Sequence, residues 1–217
     1  MIRKTLLATA AFALATTVAY AGPHVTLSKD HKTVSIAPSK GTAGSPVQFS
    51  GTYSFNNFAK KYPNGLYFCC YGNTISGPSS FFGAAYAAAV QWTQASNATV
   101  SRISAAVGYV SGDHTATLTL YKDSGSNTPG AVLAKKTGTT PEFFGGCCGV
   151  LTVKIKDTNL TAGSKYWVAI STGGANFNAA PFSTVDQVNP YNAAYSSDGG
   201  STWSGASTTL AITAAVK

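Results

Sequence analysis

Apolar and polar residues alternate with a period of two in many short runs along this chain, the pattern of half-buried β-strands. The alternation is clearest at 85–92, 99–110, 115–121, 132–136, 150–155, 165–171, 193–196 and 208–215, and each of these is expected to be a strand. Turn-forming segments stand between them: SGDH at 111–114, DSGSNTPG at 123–130, DTNLTAGS at 157–164 and SDGGST at 197–202. After residue 21 no stretch sustains a helical period over three turns. Short strands at near-regular spacing predict an all-β fold, an antiparallel β-sandwich of two sheets. Pro129 fixes φ and Gly130 permits positive φ, so the chain is expected to reverse at Thr-Pro-Gly. Trp167 and Val153 have the size and alternation of core residues on neighbouring strands.

The N-terminal part departs from this pattern. Arg3 and Lys4 precede an Ala/Leu-rich run at 6–18, which is too short to span a bilayer, and Ala19 and Ala21 are the small residues a signal peptidase reads. Residues 1–21 are therefore expected to be a signal peptide, with the mature chain starting at Gly22. The protein is expected to be secreted or periplasmic, with no membrane insertion. Residues 22–80 read as an extension. HVTLSKDHKTVSI forms a hairpin with Val25 and Leu27 facing Val34 and Ile36, residues 37–46 form a linker, and 48–82 are dense in aromatics, Asn, Gly and Ser with weak periodicity. Residues 81–217 are expected to be the sandwich domain proper. No internal repeat supports a propeller.

Composition narrows the class. Charged residues make up 10% and aromatics 12%, with 22 glycines, which suits a secreted β protein with many turns. The net charge of +8 falls by two when the leader is removed. The remaining lysines are dispersed, as at Lys60-Lys61, Lys135-Lys136 and Lys154/Lys156, and Arg102 is the only arginine beyond the leader. A nucleic-acid site concentrates such residues on one face, so that partner is not expected.

Four cysteines occur as two adjacent pairs, Cys69-Cys70 and Cys147-Cys148. In an exported chain all four are expected to be disulfide-bonded. A bridge between the pairs closes a long loop and stabilises by about 4.5 kcal/mol in the chain-entropy model. A vicinal bridge closes almost none. Magnitude favours cross-linking, in either of its two connectivities, with vicinal bridges as the alternative. A metal site is disfavoured because adjacent cysteines do not chelate as a C-x2-C loop does, and His24, His31 and His114 are scattered.

From about residue 81 onward the chain resembles the β-sandwich module of bacterial secreted proteins labelled choice-of-anchor domains. The likeness is carried by LTLYKDSGSNTPGAVLA at 118–134, LTAGSKYWVAIS at 160–171 and the Gly/Trp turn ending at Trp203. The resemblance implies a jelly-roll-like sandwich in an envelope or extracellular setting, and no activity. SSDGGSTW at 196–203 also resembles the Asp-box turn of sialidases and other propeller proteins, through Ser196, Asp198, Gly200 and Trp203. The expected role of that turn is structural, with Asp198 accepting hydrogen bonds from turn amides above Trp203.

Catalytic motifs are thin. The mature acids are Asp30, Asp113, Asp123, Glu142, Asp157, Asp186 and Asp198, mostly in turn contexts, whereas glycosidases need two convergent carboxylates. No Gly-x-Ser-x-Gly elbow occurs. No cofactor is expected, although Asp123 in DSGSN offers one acid to a calcium loop. Aromatics outside the alternating runs suit a binding role. Phe81, Phe82, Phe143 and Phe144 read as a satellite core, while Tyr62, Tyr67, Phe177 and Tyr191 are candidates for an exposed ligand face. The leading expectation is a non-catalytic binding or adhesion module for polysaccharide or cell-surface glycan. A self-associating envelope or matrix protein is the alternative, and a hydrolase ranks third.

Overall fold

The computed structural model describes residues 25–36, 51–58, 71–140, 149–181, 191–206 and 211–217. The cysteine pairs, Tyr62, Tyr67, Glu142, Phe143 and Phe144 lie outside these, as do residues 1–21, expected above to be a signal peptide. Within the described residues the fold is all-β, with three antiparallel sheets and no barrel, consistent with a β-sandwich.

The largest sheet has six strands. At its centre are β5 (Ala87–Thr93), β11 (Lys165–Ser171) and β8 (Thr115–Asp123), flanked by β13 (Ala193–Ser196) and β14 (Ser204–Ala206) on one side and β9 (Pro129–Thr139) on the other. Four strands make a second sheet, in the order β10 (Val150–Leu160), β6 (Ala98–Ala106), β15 (Ala214–Val216) and β3 (Phe55–Asn56). The third has five: β1 (Val25–Leu27), β2 (Thr33–Ile36), β4 (Tyr71–Ser76), β12 (Phe177–Pro181) and β7 (Gly108–Ser111).

Side-chain alternation builds the core from these strands. Ala88, Val90 and Trp92 of β5, Leu118 and Leu120 of β8, and Tyr166, Val168 and Ile170 of β11 point to one face of the six-stranded sheet. There they meet Val100, Ile103, Leu151, Val153 and Val216 of the four-stranded sheet and Ile75 and Ala180 of the five-stranded one. The opposite face is buried too: Ala89, Tyr121, Trp167, Ala169 and Ala194 form a smaller cluster with Trp203 packed against it. Burial on both faces accounts for the near-continuous apolar runs AAAV and YWVAI. Trp167 and Val153 are both core residues, but they belong to different sheets and different clusters.

Several local expectations need correction. The chain does not reverse at Pro129-Gly130, which open β9. The turn lies at 124–128, where Gly125 and Asn127 take φ of 92° and 55°. Gly130 is a close-approach glycine, since a Cβ there would lie 2.8 Å from Ser124 Cα. The run 99–110 is two strands, β6 and β7, which leave Val107 for different sheets. The N-terminal hairpin has the expected register, with Val25 opposite Ile36 and Leu27 opposite Val34. Residue 80 is not a break in pairing, because β4 pairs with β12 from Phe177↔Ser76 to Pro181↔Gly72, and β3 pairs with β15. The described strands of the extension join two sheets, β1, β2 and β4 the five-stranded one and β3 the four-stranded one.

Candidate functional site

The Asp-box-like segment closes β13 onto β14, and its hydrogen bonds are nearly all internal. The Ser196 hydroxyl donates to Asp198 Oδ1 at 2.7 Å, while its oxygen accepts the Gly200 amide at 2.8 Å. Thr202 donates its amide to Asp198 Oδ1 at 2.8 Å and its hydroxyl to Oδ2 at 2.7 Å. These donors, the Thr202 hydroxyl first, hold the Asp198 carboxyl well below the usual carboxylate range although it is fully exposed. Gly200 takes φ of 95°, and a Cβ there would stand 3.1 Å from Trp203 Cζ2 and 3.3 Å from the Tyr121 hydroxyl. Trp203 lies under the turn, edge-on to Tyr121 with ring centres 6.0 Å apart.

This turn is pinned to a distant part of the chain. Asp198 bridges Ala85, and the Gly199 amide donates to the Ala85 carbonyl at 2.7 Å. The next residue, Tyr86, is held by β4: its amide donates to Ser76 Oγ at 3.1 Å and its carbonyl accepts the Ser76 amide at 3.0 Å. β4 also fixes Lys32, whose carbonyl accepts the Thr74 amide at 2.9 Å. Residues from four separate stretches thereby converge at the seam between the five-stranded and six-stranded sheets.

They enclose a cleft of about 250 Å³. Its aromatic walls are Tyr86, Tyr195 and Trp203, all half-buried, and its polar groups are Lys32, Thr74 and the hydroxyls of Ser196, Ser197, Thr202 and Ser204. Thr74 also lines the cleft, although its Oγ1 is itself buried and has no hydrogen-bond partner in the structure. Among the described residues the lining contains no carboxylate, imidazole or thiol. The cleft offers ring faces for stacking and the Lys32 ammonium as a donor, while the Thr202 and Ser204 hydroxyls already donate to Asp198 and the Tyr195 carbonyl and so present acceptor oxygens.

Of the ligand-face candidates, Tyr62 and Tyr67 lie outside the described residues, and Phe177 and Tyr191 do not line this cleft. Phe177 is a correction: it is 2% exposed, paired opposite Ser76 and packed with Val34 and Ala179 beneath Phe82. Its side chain lies on the outer face of the five-stranded sheet, but that face is covered. Tyr191 is half-buried against the main core, edge-on to Phe55 at 5.4 Å. Phe82 belongs to the satellite cluster with Phe177, as expected, but Phe81 is 59% exposed.

Asp123 has a structural role. Its Oδ1 accepts Trp167 Nε1 and Gln91 Nε2, each at 2.7 Å, and its Oδ2 accepts the Gly125 amide at 2.8 Å. Burial pushes its carboxyl up, but these donors and nearby Lys165 outweigh burial and hold it below the ordinary value. Three N–H donors therefore already occupy most of the acceptor capacity of this carboxylate. Of the histidines, His114 stacks on Tyr109 at 3.5 Å and His31 tilts against Phe82 at 5.5 Å. The three cleft aromatics carry weak sequence signals: Tyr86 and Tyr195 sit in or beside strands, and only Trp203 belongs to a recognisable turn. No protein-family model, curated protein or solved structure matches this chain.

Proposed function

We propose that this protein is a secreted or periplasmic, non-catalytic binding module for a polysaccharide or cell-surface glycan, and that the cleft at the Asp-box turn is its binding site. The observation that carries this reading is the convergence of Tyr86, Tyr195 and Trp203 around a set of hydroxyls and Lys32. Ring faces stack on the apolar faces of sugars, and the surrounding polar groups match sugar hydroxyls. The absence of acids from the lining argues against glycosidase chemistry there, which needs a carboxylate pair. The resemblance to choice-of-anchor sandwich modules, with its envelope or extracellular setting, belongs to the same reading, as does a disulfide-stabilised chain.

Binding to a panel of soluble and insoluble polysaccharides tests it. Saturable binding to one of them should weaken by about tenfold or more in Tyr86→Ala and in Trp203→Ala, the loss of one stacked ring. Unchanged binding in both variants would move the site elsewhere, and failure to bind any polysaccharide would end the reading.

Self-association is the second reading, favoured by β9. This 11-residue edge strand exposes Val132 and Leu133, 53% and 38% accessible. Lys135 and Lys136 on the same strand oppose edge-to-edge pairing of copies. Light scattering on the same samples separates the two: concentration-dependent assembly without polysaccharide binding would select it.

A further inference from the structure

The cleft is small. Small-molecule sites commonly enclose about 300–1,000 Å³, so a cleft of about 250 Å³ holds roughly one sugar ring. One ring stacked in a shallow site gives little net affinity after the cost of immobilising it. Further contact area has to come from outside the cleft, and the surface beside it has a suitable form.

Tyr86 faces two ways. It lines the cleft, and its ring stands edge-on to Phe82 with centres 6.0 Å apart. Phe82 in turn touches Phe81 at 3.9 Å. Phe81 is the most exposed large apolar side chain among the described residues, at 59%. The ring packs on Phe82 and Phe177 and still leaves much of its surface open to a ligand. Its loop is held in place. The Ser80 amide donates to the Gly77 carbonyl at 3.1 Å, the Gly83 amide to Ser80 at 3.0 Å, and the Gly77 and Ser79 amides to Asn176 and Gly174, each at 2.9 Å. Phe82 and Phe177 support the ring from below, Phe177 edge-on to Phe81 at 5.6 Å. His31 and Lys32 lie along the same side. A pre-set apolar ledge with polar groups beside it thus continues the aromatic wall of the cleft.

We propose that the binding site extends from the cleft across Tyr86 and Phe82 to Phe81, and that its ligand is a polymeric glycan spanning cleft and ledge, not a free monosaccharide or a single terminal sugar. This inference rests on the glycan-binding reading above and adds to it the length of the ligand and the role of Phe81. The cleft selects one unit, and the ledge supplies stacking area to the units that follow.

Calorimetric titration with cello-, xylo- and chito-oligosaccharide ladders, from disaccharide to hexasaccharide, tests this on the wild type, Phe81→Ala, Phe81→Trp and Tyr86→Ala. Affinity should rise along the ladder that binds. Phe81→Ala should lower the hexasaccharide affinity by about tenfold, the loss of one stacked ring, and leave the disaccharide unchanged, while Phe81→Trp restores the rise. Tyr86→Ala should weaken every length. Affinity independent of length, or a Phe81→Ala variant that titrates like the wild type while Tyr86→Ala does not, would overturn the ledge and leave the cleft as a glycan site. An equal loss at all lengths in Phe81→Ala would also overturn it, because it would mean that Phe81 only supports the cleft wall. No binding along any ladder, together with none to the polysaccharide panel above, would overturn both readings.

Discussion

Asp123 and Asp198 make an instructive pair. Each is an aspartate where a strand gives way to a turn, Asp123 as the last residue of β8 and Asp198 two residues beyond β13. Each accepts hydrogen bonds from its own turn, and each is associated with a tryptophan. Asp123 reaches out of its turn to hold Trp167 Nε1 and Gln91 Nε2, groups on β11 and β5 whose side chains are buried. Asp198 keeps its carboxylate within the turn, bonded to Ser196 and Thr202, and leaves Trp203 half-exposed at the edge of the cleft. The first locks strands together. The second shapes a loop and the ring beneath it. Similar local chemistry serves the core in one place and a candidate binding surface in the other, and the difference is set by what each carboxylate faces.

Removing Asp123 should break this comparison most severely. Asp123→Ala leaves the buried Trp167 N–H without its acceptor and the Gln91 amide with only a 3.5 Å contact to Asn127, and should cost about 3 kcal/mol, read by chemical denaturation. Asp198→Ala should cost less, because Thr202, which supplies two of its hydrogen bonds, is exposed to water. A loss at Asp198 equal to that at Asp123 would show that exposure does not separate the two sites.

Gly200 comes next. A side chain at φ of 95° strains the backbone and crowds Trp203, so Gly200→Ala should destabilise by about 1–2 kcal/mol and weaken polysaccharide binding with it. Undiminished binding would detach the turn from the cleft.

Acid should act on both carboxylates in the same direction. Each is held below its ordinary value in the folded chain, so each contributes stability at pH above the unfolded value of about 3.9. That contribution is lost as pH falls through the folded value. The midpoint for denaturation should therefore drop below about pH 4, and Asp123→Asn should flatten the profile. A flat wild-type profile would contradict the hydrogen bonding assigned here. The smallest effect is expected at Lys165, which donates to Asn127 Oδ1 at 2.8 Å in an exposed setting. Lys165→Met should change stability by no more than about 0.5 kcal/mol.

How much of this was legible in the sequence depended on the range of the interaction responsible. Strands β5, β8 and β11 announced themselves by alternation or apolar runs. The Asp-box turn announced itself by residue types that bond to their own neighbours. β4 and β12 did not, because YGNTIS and FNAAP carry no clear alternation and become strands by pairing with each other and with β2 and β7. Phe177 was misplaced for the same reason: only the position of β12 within its sheet, under Phe82, decides that its ring is covered.

The sequence by itself determined the all-β class, most strand positions, the register of the first hairpin and the turn at 196–203, because period, turn chemistry and hairpin pairing act over a few residues. Only the tertiary structure decided that Asp123 serves Trp167, that the N-terminal strands enter the sheets, and that Lys32, Tyr86, Tyr195 and Trp203 meet in one cleft. Those outcomes depend on the order of strands in three sheets, and that order is chosen by collective burial across the whole chain rather than by any segment of it.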